Sequence, residues 1–104
     1  MTAWKSLEKT AARKLGGQRV SRGDDFSASL PDVLHDRFSI ECKHRKKISQ
    51  FLLDALKQAK DYAPEKTPLA VIKQKHMRGE LVFLYLDDFI KILKGDENEY
   101  GNQD

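Results

Sequence analysis

The chain reads as one α/β domain, a mixed central sheet flanked by helices in the order α-β-β-β-α-β-β-α. Two observations predict this. Apolar residues recur at helical spacing over residues 3–15 and again from residue 49 to about residue 63. Short apolar or alternating runs, bounded by Gly, Pro and Asp, fill the intervals. A length of 104 residues allows a single small core and no second domain or repeat array. The domain is expected over residues 1–94, with 95–104 as a polar, acidic C-terminal tail.

The elements follow in order. Trp4, Leu7, Ala11 and Leu15 place a stripe on the first helix, and Gly16-Gly17 ends it. Gln18-Arg19-Val20 is a short strand, and the polar, turn-rich segment 21–30 is a loop. Pro31–Leu34 and Phe38–Lys43 are two strands joined at His35-Asp36-Arg37, the second alternating cleanly from Phe38 to Cys42. Ser49 is placed to cap a second helix. One face of it carries Leu52, Leu56, Ala59 and Ala63, and the adjacent face carries Phe51, Ala55, Gln58 and Tyr62. Leu69–Ile72 and Leu81–Leu86 are near-continuous apolar strands, which predicts burial on both faces. Asp87 caps a last short helix through Leu93.

Composition narrows the function. Hydrophobic residues are 39% and charged residues 34%, a soluble balance with a heavily charged surface. No apolar run reaches the roughly 18 residues a membrane span needs, and the first residues lack the apolar core of a signal peptide. The single cysteine, Cys42, forms no internal disulfide, so a cytoplasmic setting is expected. Charge is uneven. Residues 1–60 hold 13 Lys and Arg against 7 Asp and Glu, net +6, while residues 61–104 hold 6 against 9, net −3. The basic half suits a polyanionic partner.

The chemistry is concentrated in Pro31-Asp32 and Glu41-Cys42-Lys43. A two- or four-residue loop in this hairpin pairs His35 with Phe38 and brings Asp32 opposite Glu41. A three-residue loop shifts the register by one. Opposed side chains have Cβ atoms roughly 4.5–5.5 Å apart on one face, and Lys43 shares that face. Val33, Ile40 and Cys42 point the other way, into a core. Two facing carboxylates repel unless a cation neutralises them. Carboxylate oxygens, the Cys42 backbone carbonyl and waters suit Mg²⁺, with Mn²⁺ as a substitute. Such a metal polarises a phosphoryl oxygen and acidifies a bound water, and Lys43 adds a fixed positive charge. The alternative for the bare pattern is an ordinary surface hairpin with alternating charges.

Pro31-Asp32, Glu41-Cys42-Lys43 and the Gln58 to Tyr62 spacing resemble the PD-(D/E)xK nuclease superfamily. With Glu8, the Ala-Arg-Lys-Leu-Gly-Gly run and the small size, the chain is most similar to small Holliday junction resolvases of the archaeal and phage-encoded kind. The likeness spans roughly residues 4–93. It implies a restriction-endonuclease-like core and a metal-dependent endonuclease that acts as a homodimer and nicks two opposed strands of a four-way DNA junction. Asp32 and Glu41 would be metal ligands, Lys43 the catalytic lysine, and Glu8 a completing acidic residue. The resemblance departs at Lys9, where archaeal resolvases tend to carry arginine. A restriction- or repair-type nuclease shares the same site, and a non-catalytic DNA-binding module shares the fold.

The remaining residues admit two readings each. Glu8 either completes the site or pairs with Lys5 on the surface. Gln58 shares a stripe with Phe51 and Tyr62, so partial burial is expected; it orients a ligand or makes a structural hydrogen bond. Tyr62 is expected in the core. His44, Arg45, Lys46 and Lys47, with Arg19, Arg22, Lys73 and Lys75, are candidates for DNA phosphates. No organic cofactor is expected. Cys42 is a small core residue rather than a nucleophile. Surplus apolar residues in the second helix and last strand are available for a dimer interface.

Overall fold

A computed structural model describes residues 2–20 and 30–101. Its elements are α1 (Ala3–Leu15), β1 (Gln18–Arg19), β2 (Val33–Leu34), α2 (Gln50–Tyr62), β3 (Ala70–Ile72), β4 (Leu81–Phe83) and α3 (Leu86–Gly101). They fall into two compact units, Met1–Lys46 and Lys47–Asp104. The loop expected at 21–30 lies, apart from Leu30, outside the described residues.

In the first unit α1 packs on β1 and β2. Its buried face is built from small side chains: Ala11 and Ala12 meet Val33, which is fully enclosed, and Leu15, Ile40 and Cys42 close the cluster. Gly16 ends the helix with φ 75°, the left-handed cap expected from the sequence. Gly17 then lies so close to β2 that an added Cβ would stand 2.5 Å from the Leu34 carbonyl oxygen and 2.8 Å from a Val33 methyl. Only glycine brings the chain from the helix onto the strand at this distance.

β1 runs antiparallel to β2, with Gln18 opposite Leu34 and Arg19 opposite Val33. On the other side of β2, the segment expected as a full strand over Phe38–Lys43 makes a single antiparallel bridge, Val33 to Ile40. That bridge has the register expected from the sequence, and the rings of His35 and Phe38 face each other at 4.9 Å. The ladder stops for a local reason. Level with Cys42 in this register stands Pro31, which has no N–H to give to the Cys42 carbonyl, and the Cys42 N–H, which a continued ladder would give to the Pro31 carbonyl, goes to the Asp32 side chain. His35 Nδ1 accepts the Arg37 N–H at 3.0 Å, so its Nε2 donates, reaching the Leu15 carbonyl at 2.9 Å. The hairpin thereby caps the C-terminus of α1.

In the second unit α2 packs on β3, and Leu56, 2% exposed, is its buried centre. Ser49 is the N-cap residue but makes no side-chain cap; its carbonyl accepts the Leu52 N–H instead. β3 and β4 pair antiparallel, with Val71 opposite Val82. The expected burial of both faces is not observed. Ala70 is buried, whereas Val71, Val82 and Leu81 are exposed; these two strands form a sheet of their own with no third strand among the described residues. Among the described residues, the expected single mixed sheet is thus two small antiparallel sheets, with three helices, in a mixed α/β arrangement. α3 begins at Leu86, so Asp87 and Asp88 lie in its first turn, where carboxylates favour the positive end of the helix. It continues past Leu93 to Gly101, through residues expected as tail. No helix among the described residues is long and apolar enough to cross a membrane.

Candidate functional site

Five of the six catalytic and metal-ligand candidates, Glu8, Asp32, Glu41, Cys42 and Lys43, lie in the first unit, and the sixth, Gln58, lies in the second. Glu8 projects from α1 and is 5% exposed. Its position explains the burial. Glu8, Ala11, Ala12 and Leu15 follow the i, i+3, i+4, i+7 spacing of one helix face. A carboxylate drawn into that face requires a partner. Arg19 of β1 supplies it, donating from Nε to Glu8 Oε1 at 2.8 Å. The surface pairing of Glu8 with Lys5 considered from the sequence is replaced by this interior one.

Asp32 is 8% exposed and precedes the fully buried Val33. Its backbone is held on both sides: its carbonyl accepts the Val20 N–H at 3.1 Å and its own N–H donates to the Ile40 carbonyl at 3.0 Å. Its carboxylate accepts the Cys42 N–H at 2.7 Å. Counting one residue on from the Val33–Ile40 bridge brings Asp32 level with Glu41. Glu41 and Lys43 are exposed, while Cys42 between them turns inward, half-buried against Val33 and its neighbours.

The Cys42 thiol registers the electrostatics of the cluster. Its pKa is raised above 9.0, first by burial and then by the negative charges of Asp32, Glu8 and Glu41. Glu8 of α1, Asp32 just before β2 and Glu41 on the segment after the hairpin turn all push the thiol in that direction. Burial and negative surroundings keep this cysteine a thiol, in line with a core role rather than a nucleophilic one.

The donor chemistry suits a hard divalent cation: three carboxylates and the Cys42 carbonyl offer oxygen ligands of the kind Mg²⁺ takes. Among the described residues, however, no three His, Cys, Asp or Glu side chains stand close enough together to hold a metal ion. Glu8 is engaged by Arg19, and Asp32 by the Cys42 amide. The arrangement is a donor set, not a closed site.

The remaining candidates are distributed as follows. His44, Arg45 and Lys46 are exposed directly after the hairpin, and Lys47, also exposed, opens the second unit. Lys73 and Lys75 are exposed in the connection after β3. Arg22 lies outside the described residues. Gln58 belongs to α2 and is exposed, as is Phe51 of the same stripe, and Tyr62 is 90% exposed. The stripe expected to be partly buried is therefore the outer face of α2; Leu56 and its row take the core instead. Sequence reasoning missed the Glu8–Arg19 pair. The helical spacing of Glu8 with Ala11, Ala12 and Leu15 carried half of the signal. The strand pairing that delivers Arg19 is non-local and left none. No family model, curated protein or solved structure matches the chain.

Proposed function

We propose that the protein is a divalent-metal-dependent DNA endonuclease with a restriction-endonuclease-like core, acting on four-way junctions as a homodimer. One observation carries the reading. The Val33–Ile40 register brings Asp32 level with Glu41, with Lys43 two residues on.

In this reading Asp32, Glu41, Glu8 and the Cys42 carbonyl hold the metal. When bound, it neutralises phosphoryl charge and acidifies a water. Lys43, exposed beside the carboxylates, aligns its ammonium with the phosphoryl oxygens and stabilises their developing charge. The exposed run from Lys43 to Lys47 extends positive charge along the phosphate backbone. Two symmetric nicks by a chain with one site per copy call for a two-fold dimer. Exposed Val71, Val82, Leu81 and Phe51 supply apolar surface for pairing.

Nicking of a synthetic four-way junction, with linear duplex as control, tests this directly. Cleavage should require Mg²⁺ or Mn²⁺ and disappear in Asp32→Asn and Lys43→Ala, while junction binding persists. Cleavage near the wild-type rate in Asp32→Asn would remove the site. Cleavage of duplex and junction alike would favour the restriction- or repair-type activity.

A further inference from the structure

We propose that the outer face of the β3–β4 sheet docks a second copy of this chain, face to face about a two-fold axis parallel to the strands. This gives the dimer of the nuclease reading a surface and an orientation, but it stands on the geometry of the second unit alone.

The face follows from the register. Val71 is opposite Val82, so their side chains share one side of the sheet. The neighbouring pairs, Ala70 with Phe83 and Ile72 with Leu81, take the other side, where Ala70 is buried. Carrying the register two residues past the valines in each direction puts Leu69 level with Leu84 and Lys73 level with Glu80, on the valine side. Leu69, Val71 and Val82 are 44%, 63% and 57% exposed. Lys73 and Glu80 are exposed too, and neither has an ion-pair partner among the described residues. The face therefore has three levels: a leucine pair, a valine pair and a pair of opposite charges.

The order of these levels selects the partner and its orientation. Stacked sheets keep their strands within about 30° of each other, which leaves two face-to-face arrangements about a two-fold axis. An axis across the strands sets Leu69 on the partner's Lys73 and Leu84 on the partner's Glu80, apolar groups against charges. An axis along the strands lays β3 over the β4 of the other copy. Leucine then meets leucine and valine meets valine, while Lys73 meets the partner's Glu80 and Glu80 meets the partner's Lys73. An isologous contact has to be self-complementary in this way. The strands are three residues long, so the contact buries well under the roughly 1,200 Å² of a stable interface. The dimer is therefore weak and in equilibrium with monomer.

The test uses the full chain without DNA or metal. Sedimentation equilibrium from micromolar to millimolar concentration should show monomer and dimer in exchange. Lys73→Glu alone sets glutamate against glutamate across the axis, and Glu80→Lys alone sets lysine against lysine. Each should raise the dimer Kd more than about tenfold. Mixed in equal amounts, the two variants should associate at least as tightly as wild type, because every glutamate then meets a lysine. Combining both changes in one chain should restore self-association. Both positions are exposed, and circular dichroism checks that each variant is folded. A chain that stays monomeric at millimolar concentration overturns the proposal and leaves the face to another occupant. A dimer that ignores the charge changes, or a mixture that stays apart, overturns it equally, because the contact then lies elsewhere. The nuclease reading is judged separately by nicking. A chain that pairs as described but cuts no junction keeps this interface and loses the nuclease. A chain that cuts while its association ignores the charge changes loses this interface alone.

Discussion

The carboxylate of Asp32 accepts the backbone N–H of Cys42 at 2.7 Å across ten residues of chain. This bond continues the hairpin past its single backbone bridge, taking the Cys42 N–H that a continued ladder would give to the Pro31 carbonyl. Asp32 thus has a structural duty apart from any chemical one, and the two are separable. Asn retains a carbonyl oxygen that can accept the same N–H; Ala does not. Urea denaturation of Asp32→Ala should show a loss of about 2 kcal/mol, the cost of a buried amide left without its charged acceptor. Asp32→Asn should lose less than half of that. Equal losses in the two variants would show that charge, and not the hydrogen bond, is what the fold requires.

The Glu8–Arg19 pair gives a second prediction. Removing one member of a buried pair leaves the other charge uncompensated, whereas replacing both by apolar residues does not. Arg19→Met alone should cost about 3 kcal/mol. Glu8→Leu with Arg19→Met should recover most of it. Thermal and urea unfolding of the two single variants and the double variant complete the cycle. Additive losses would mean that the two side chains do not depend on each other.

Much of the first unit was legible because its signals are local. The Ala11–Leu15 part of the α1 stripe, its glycine stop and the His35–Phe38 register follow from spacing over a few residues, whereas Trp4, expected at the head of that stripe, is 47% exposed and Glu8 takes its place on the buried face. Two things were not legible. The Arg19–Glu8 contact depends on β1 pairing with β2 across a long connection, which no local pattern specifies. The shortened pairing of Phe38–Lys43 depends on which partner takes the Cys42 N–H, a competition between a side chain and the backbone. In the second unit, Val71, Leu81 and Val82 looked like buried-strand residues because apolarity signals a wish for burial, not the presence of a covering layer. Gln58 and Tyr62 were misjudged for a related reason. Two adjacent helical stripes were both apolar enough to be the core face, and Leu56 decided for the other.

Gly17 carries a prediction about packing. An alanine Cβ there would meet the Leu34 carbonyl oxygen at 2.5 Å and Val33 Cγ1 at 2.8 Å. Neither can yield easily, since one is strand backbone and the other belongs to a fully enclosed side chain. Gly17→Ala should cost about 3 kcal/mol, at the upper end of overpacking effects. Gly16→Ala should cost about 1 kcal/mol, since only its left-handed φ opposes the change and nothing lies within 4 Å of the added methyl. Denaturation midpoints of the two variants decide; the reverse order would refute the close approach of α1's exit to β2.

The exposed basic run bears on DNA affinity. Each phosphate contact adds roughly 0.9 to the slope of log affinity against log salt on duplex DNA. Lys46→Ala with Lys47→Ala should therefore weaken binding to all sequences alike and lower the slope by roughly 1.8 if both touch phosphate. Fluorescence anisotropy over a salt series measures this. An unchanged slope would assign the run to solvated surface.

Cys42 links the acidic cluster to pH. Its thiol pKa is raised above 9.0 by burial first, then by Asp32, Glu8 and Glu41. In the unfolded chain the thiol ionises near its ordinary value, so above about pH 9 the folded state binds more protons than the unfolded one. Stability then falls with rising pH. The contribution is fully present below the unfolded pKa and is lost as pH climbs through the folded value. Wild-type stability should thus decline from about pH 9 upward, and Cys42→Ala should decline less steeply over the same window. Thiol reactivity gives an independent reading. A maleimide or iodoacetamide probe at pH 8 should label Cys42 in the native chain far more slowly than in urea, because little thiolate is present. Glu8→Gln should accelerate labelling by removing one of the three negative charges, provided urea denaturation shows the variant folded. If native and unfolded chains react at the same rate, the carboxylates do not converge on Cys42, and the electrostatic unity of Glu8, Asp32 and Glu41 fails with it.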